Sequence, residues 1–297
     1  MAGDARVEQL RLAGGRAVAV HHVADGAGER TVVLCHAAPG AGRFDPDPEQ
    51  TAARGVTLLA VDRPGYGGSA PIEADAWASV EGAADDLAEV LDRRGTGPAG
   101  VAGWSAGGRV ALALAARRPD LVDRVVVVAT PAPDEEVPWI PPPQRAMVAA
   151  LRARPPAAAH AELAEQFAQL VPADPSAPEA LLLLGANPAE VEAAAGTAAH
   201  RRLAEMLAAA FAQGAVGLAA DVAGYCLRPW GFQPSEVQAR TLLLYGAQDP
   251  AIGPPHGRWW QRRLPDARLE VSPGEGHLLV IPRWGRALSH LAPRRRR

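Results

Sequence analysis

Short runs of β-branched and aliphatic residues alternate with helical stretches through the first 130 residues of the chain. That alternation restricts the fold to a largely parallel sheet covered by helices. Residues 10–23, broken at Gly14-Gly15, predict an opening hairpin. Residues 31–36 and 56–62 are apolar runs that stop at turn chemistry, as buried strands do. Between 76 and 94, Val80, Leu87, Val90 and Leu91 recur at helical spacing with acidic residues opposite, which predicts a surface helix. A strand at 101–103, a small-residue helix at 106–118 halted by Pro119, and a strand at 124–129 complete this half.

After Ala129 the pattern changes. A Pro-rich stretch at 131–143 leads into Ala- and Leu-rich helical segments that run to about Gly231 without a strand-like run. The strand pattern then returns at 241–245, followed by a helix holding Trp259 and Leu264, a strand at 268–271 and a last helix at 278–291. One α/β core, residues 1–130 and 239–297, interrupted by a helical insertion at 131–238, accounts for this better than two independent domains. A chain of 297 residues is long enough for either.

Composition narrows the function classes. Hydrophobic residues make up 48% and charged residues 21%, enough apolar material for a substantial core. The formal net charge of -3 gives no reason to expect nucleic acid or an anionic membrane as partner. Every basic residue is Arg, and the four terminal arginines, 294–297, read as a solvated tail. Cys35 and Cys226 imply no disulfide framework, and the histidines and cysteines lack metal-ligand spacing. No phosphate-binding glycine motif follows a predicted strand, so no cofactor is expected. With neither a signal-like N-terminus nor a long apolar run, a cytoplasmic location is expected. Oligomeric state leaves no signal.

Gly103-Trp104-Ser105-Ala106-Gly107 lies directly between a predicted strand and a predicted helix. Glycines flank a serine in this way where a sharp strand-to-helix turn brings backbone and helix together and lifts the hydroxyl clear of the sheet. The helix start aims its amides at the same point, and the Ala106 N–H is the first candidate to hold an oxyanion. A serine nucleophile needs a base and a group to orient that base. Among eight histidines, His277 alone sits in a Gly-rich loop after the last strand, within Pro273-Gly274-Glu275-Gly276-His277. Asp249 leaves the strand at 241–245 through a tight turn and is the preferred acid, with Asp134, beyond the strand ending at Ala129, as the alternative.

Together these residues resemble the α/β-hydrolase family, whose chain order is likewise serine, acid, histidine. His36-Ala37-Ala38-Pro39-Gly40 resembles its H-G-x-P-G oxyanion loop, residues 62–69 its D-x-P-G-x-G-x-S turn, and Gly274 to His277 its G-x-G-H loop. The resemblance implies a mostly parallel sheet flanked by helices, the Ala38 amide as second oxyanion donor, and residues 131–238 as a helical cap over the pocket. Ala37 departs from the family's usual glycine. A serine in place of aspartate argues against the dehalogenase and epoxide hydrolase branches and for acyl chemistry. Phe44, Trp104, Trp139, Tyr225 and Trp230 are candidate pocket residues, and Phe232 beside them strengthens the hint of an apolar acyl site. The expected activity is ester hydrolysis of a small acyl substrate. Lactonase, thioesterase, amidase, carbon–carbon bond hydrolase and acyltransferase reactions, or binding without catalysis, remain alternatives.

Overall fold

The computed structural model describes residues 6–28 and 30–293, so the expected solvated tail at 294–297 lies outside the described residues. Eight strands form one sheet: β1 (Arg6–Arg11), β2 (Ala17–Ala24), β3 (Thr31–Cys35), β4 (Thr57–Val61), β5 (Ala99–Trp104), β6 (Val122–Val128), β7 (Arg240–Gly246) and β8 (Ala267–Ser272). Their order across the sheet is β1-β2-β4-β3-β5-β6-β7-β8. β2 runs antiparallel to both neighbours, and every pair from β4 to β8 is parallel.

The central strands bury both faces, with alternate residues entering opposite layers. Val32, Leu34, Ala102, Trp104, Val126, Val128, Leu242 and Leu244 join one core. Val33, Cys35, Val101, Val125, Val127, Leu243 and Tyr245 join the other. Helices α1 (Pro48–Arg54) and α10 (Trp284–Leu291) pack on the first face; α2 (Val80–Arg94), α3 (Gly107–Arg117) and α9 (Pro254–Arg263) cover the second.

Three departures from the expected elements have local causes. The helix expected from residue 76 begins at Val80 because the Ser79 hydroxyl accepts from the Gly82 amide and caps it there. α1 was not anticipated; Asp47 caps its N-terminus ahead of Pro48, a signal seven residues of helix are too short to amplify into periodicity. The last helix is split at Pro282 into a 3-10 turn, His277–Val280, and α10.

Between β6 and β7 the chain forms α4 (Pro142–Leu151), α5 (Pro156–Phe167), α6 (Pro188–Ala194), α7 (Ala198–Ala210) and α8 (Val216–Val222), joined by shorter 3-10 and π turns and no strand. No described helix is long and apolar enough to cross a membrane. Leu181, Leu184, Leu203, Met206, Leu207 and Phe211 of this segment enter the same core as Trp104, so it is packed onto the sheet edge rather than tethered beside it.

A buried polar chain ties these layers together. Asp45 accepts from the Thr51 hydroxyl (2.8 Å) and the Asp47 amide (3.0 Å), while Trp284 donates its indole N–H to Thr51 (2.8 Å). Arg202 of α7 donates to the Asp45 and Pro46 carbonyls, each at 2.9 Å. Burial pushes the Asp45 carboxyl up to about 6, its hydrogen bonds offsetting only part of that. The folded chain therefore holds this proton more tightly than the unfolded one, and the stability it contributes is lost as pH rises from about 4 to about 6. Asp45→Asn, which keeps an acceptor but cannot ionise, is expected to gain stability over wild type progressively across that window and to hold a constant advantage above it. Urea unfolding at several pH values measures this, and a pH-independent difference would contradict it.

Candidate active site

The turn at Ser105 is set by close packing. A Cβ at Gly103 would lie 2.4 Å from the Gly107 carbonyl oxygen and the Gly108 Cα, and one at Gly107 would lie 2.2 Å from the Cys35 carbonyl oxygen. The start of α3 thus rests directly on β5 and β3, and the chain reverses within two residues. Ser105 is forced to φ 54°, a left-handed conformation that a non-glycine residue adopts only under constraint. Its neighbours hold it there. The Ser105 amide donates to Val128 (2.8 Å), and the Thr130 hydroxyl donates to the Ser105 carbonyl (2.8 Å). The Thr130 carbonyl accepts in turn from the Tyr245 hydroxyl at 2.7 Å and the Trp260 indole at 3.2 Å.

Asp249 and His277, contributed by the loops after β7 and β8, meet in a 2.6 Å hydrogen bond between the carboxylate and Nδ1. Both side chains are almost wholly buried. Burial alone would raise the Asp249 carboxyl; the bond from His277 and the amides of Ala251 (3.0 Å) and Ile252 (2.8 Å) outweigh it and hold its pKa below the usual carboxylate range. Nδ1 is then the donor and Nε2 is left to act on a substrate or hydroxyl. Asp134, the alternative acid, is engaged elsewhere: it accepts from the Trp139 and Ile140 amides, both 2.7 Å, and from Arg145.

Trp104, beside Ser105, donates its indole N–H to the His277 carbonyl at 3.0 Å, linking the turn to the histidine loop. It is 0% exposed and packs against Phe44, itself 1% exposed. Both are supports rather than the pocket walls expected from the sequence, because neither presents surface to a ligand. Trp139, Tyr225 and Trp230 lie in the other layer, where they surround Arg109 and line a 630 Å³ cavity. The expected aromatic pocket is therefore divided in two. A second cavity of 220 Å³ runs beside Ala106, with Trp77, Val110, Asp221 and Tyr225 in its walls.

The loop after β3 is held by a buried guanidinium. Arg63 donates to the carbonyls of His36 (2.6 Å) and Ala37 (2.8 Å) and pairs with Asp221 of α8 at 2.6 Å. Burial disfavours its charge, but Asp221 more than compensates and raises its pKa. His36 donates Nδ1–H to the Ala37 carbonyl (2.8 Å) and accepts the Arg63 amide at Nε2 (3.2 Å), a pairing only the neutral ring satisfies. Burial and the charge of Arg63 keep its pKa well below the ordinary value in agreement. Among the described residues only Ser105 and Ala129 are non-glycines at positive φ. Ala37 is thus unstrained, its methyl buried in the core, and the alanine is accommodated. Neither the Ala38 nor the Ala106 amide is donated to an acceptor among the described residues, so both are free for an oxyanion. No three His, Cys, Asp or Glu side chains converge as a metal site would require among the described residues.

Sequence reasoning missed Glu190 of α6. Its carboxylate accepts the amides of Gly276 (3.1 Å), His277 (3.2 Å) and Leu278 (2.9 Å), as well as the Asn187 amide (3.0 Å) of its own helix start. Asn187 also donates to the Gln248 carbonyl beside Asp249 (3.2 Å), and Gly185 lies against the His277 ring. The N-P-x-E spacing identifies a capping box at residues 187–190. Nothing in it tells that the same carboxylate reaches a loop 86 residues further along.

Residues 30–283 match the alpha/beta hydrolase fold family, and the chain belongs to it. It is 30% identical over 230 residues to the pimeloyl-(acyl-carrier protein) methyl ester esterase of Chromobacterium violaceum, covering 77% of this chain and 79% of that protein. The enzyme of the same description from Neisseria meningitidis serogroup B strain MC58 is 32% identical over 225 residues, 74% of this chain and 75% of its own. Among solved structures, a hydrolase from Pseudomonas aeruginosa superposes with a TM-score of 0.70 at 22% identity, covering 98% of this chain and 100% of that one. An esterase from Exiguobacterium antarcticum gives 0.65 at 18% identity, covering 96% and 97%.

Removing the Glu190 carboxylate leaves three loop amides without their acceptor, and small misplacements of a reacting group are costly. Glu190→Ala is expected to lower kcat on an activated ester about ten- to a hundredfold with little change in KM. Glu190→Gln should recover part of it. Amide exchange at Gly276 to Leu278 should quicken in parallel; unchanged exchange with full turnover would overturn this role.

Proposed function

We propose that the chain is a carboxylic-ester hydrolase acting through an acyl-enzyme on Ser105, with His277 as general base and Asp249 as the acid that orients it. The observation that carries this reading is the pairing of a strained, constrained serine at φ 54° with a buried Asp249–His277 hydrogen bond of 2.6 Å at the same sheet edge. Ser105 attacks the ester carbonyl as His277 Nε2 takes its proton, and the Ala106 and Ala38 amides receive the oxyanion. His277 then returns the proton to the departing alcohol. Water, activated by the same ring, hydrolyses the acyl-enzyme and frees Ser105.

Residues 131–238 act in this reading as a cap, holding the catalytic loops from above through Glu190, Asn187 and Asp221. The methyl ester specificity named for the curated relatives favours esters of small alcohols.

Ser105→Ala is expected to lower kcat on a p-nitrophenyl ester by a factor on the order of 10⁶. A fluorophosphonate should label wild type at Ser105 and leave the variant untouched. Asp249→Asn, which loses the tautomer control, should cost a factor on the order of 10⁴ in kcat. Retention of most activity by Ser105→Ala, or labelling elsewhere, would sink the mechanism.

A further inference from the structure

Arg109 lies on α3 one turn beyond Ser105, and it is 1% exposed. Its guanidinium is enclosed by the rings of Trp230 (4.6 Å), Tyr225 (4.7 Å) and Trp139 (5.7 Å). One nitrogen, Nη2, donates to the Pro131 carbonyl at 3.0 Å. Nε and Nη1 are buried with no acceptor, and the indole N–H of Trp139 beside them is in the same condition. All are donors. The contrast with Arg63 is direct: that buried guanidinium has two carbonyls and a carboxylate, whereas no carboxylate among the described residues pairs with Arg109. Aromatic faces attract a cation but accept hydrogen bonds poorly, and burial accordingly disfavours its charge.

The 630 Å³ cavity opens at this cluster. Four arginines line it against two carboxylates, Asp134 and Glu135. Asp134 is saturated by two amides and Arg145, and Glu135 is exposed and paired with Arg152. The remaining walls, including Val148 and Leu227, are apolar. Tyr225 is carried on a π-helical turn, Ala223–Leu227, a local irregularity that re-aims a side chain at the cost of regular helix geometry. Ser105, Asp249 and His277 are not among the lining residues.

We propose that this cavity is a binding site for a small aromatic carboxylate, whose anionic end is held by Arg109 and Trp139 and whose ring lies among Trp139, Tyr225 and Trp230. A carboxylate supplies the acceptor and the countercharge together. A phosphate, doubly charged and strongly hydrated, suits these apolar walls poorly. Because the guanidinium is covered, the ligand enters as Trp139, the most distant of the rings and the one carried by the loop after β6, swings out and then closes back over it.

Benzoate, its neutral isostere benzamide, and inorganic phosphate serve as probes, read by titration calorimetry and by thermal shift. Benzoate is expected to bind wild type and raise its Tm, and to do the same for Ser105→Ala, which separates this site from the nucleophile. Benzamide and phosphate should bind at least about tenfold more weakly. Arg109→Met should fold with an unchanged or higher Tm, since it replaces an uncompensated buried charge by an apolar chain, and should lose the benzoate response. Trp139→Phe, which removes one donor while keeping the ring, should weaken it and tests the site even if Arg109→Met fails to fold. Absence of benzoate binding to wild type, equal binding of benzamide, preference for phosphate, or an undiminished response in a folded Arg109→Met would each overturn the proposal.

Discussion

The contact of Gly107 with the Cys35 carbonyl is the constraint on which the rest of the active edge depends. A helix that starts this close to two strands leaves no room for a gradual turn, so Ser105 takes the left-handed conformation and its side chain stands clear. Strain of this kind persists only if surrounding structure over-determines it. Here the opposing restraints come from β6 and β7: Val128 and Thr130 bind the Ser105 backbone, and Tyr245 and Trp260 bind Thr130. The strand order makes this possible, since β5, β6 and β7 are successive neighbours. Serine placement is therefore a property of three strands and two helices together.

The loops after β8 and β3 are organised differently. Neither is rigid by virtue of local turn chemistry alone; each receives a side chain from the segment between β6 and β7. Glu190 gathers the amides after β8, and Asp221, through Arg63, fixes the carbonyls after β3. These contacts differ in kind from the exposed ion pairs of Arg117 or Arg118 with nearby aspartates, which lose most of their Coulomb energy to solvent. The buried Arg63 and the part-buried Glu190 and Asp221, charges that would be costly alone, are here matched by several hydrogen bonds each.

Much of the fold was legible because the period-2 and helical patterns are strong where both faces are buried. The strands at β3 to β8 and the interruption after Ala129 were found within a few residues of their ends, and Pro119 and the glycines around Ser105 marked their turns by simple sterics. Asp249 and His277 were legible for a related reason: each follows a strand end by a few residues, so topology alone brings them to one edge. What escaped were contacts set by packing of distant segments. Glu190 looks like an ordinary capping residue until α6 is laid on the sheet, and Trp104 and Phe44 look like pocket walls until their layer is known. The division of the aromatics between two cores depends on which side of the sheet each helix crosses, and no local pattern encodes that.

The anchoring of residues 185–190 and Asp221 bears on how this protein moves. A lid on a hinge opens while the chemistry beneath it stays intact. Here the inserted helices supply the acceptor for the amides after β8 and the countercharge for Arg63, so lifting them would undo the contacts that order both loops. The segment and the loops after β3 and β8 are thereby coupled, so local opening of one weakens the contacts of the others.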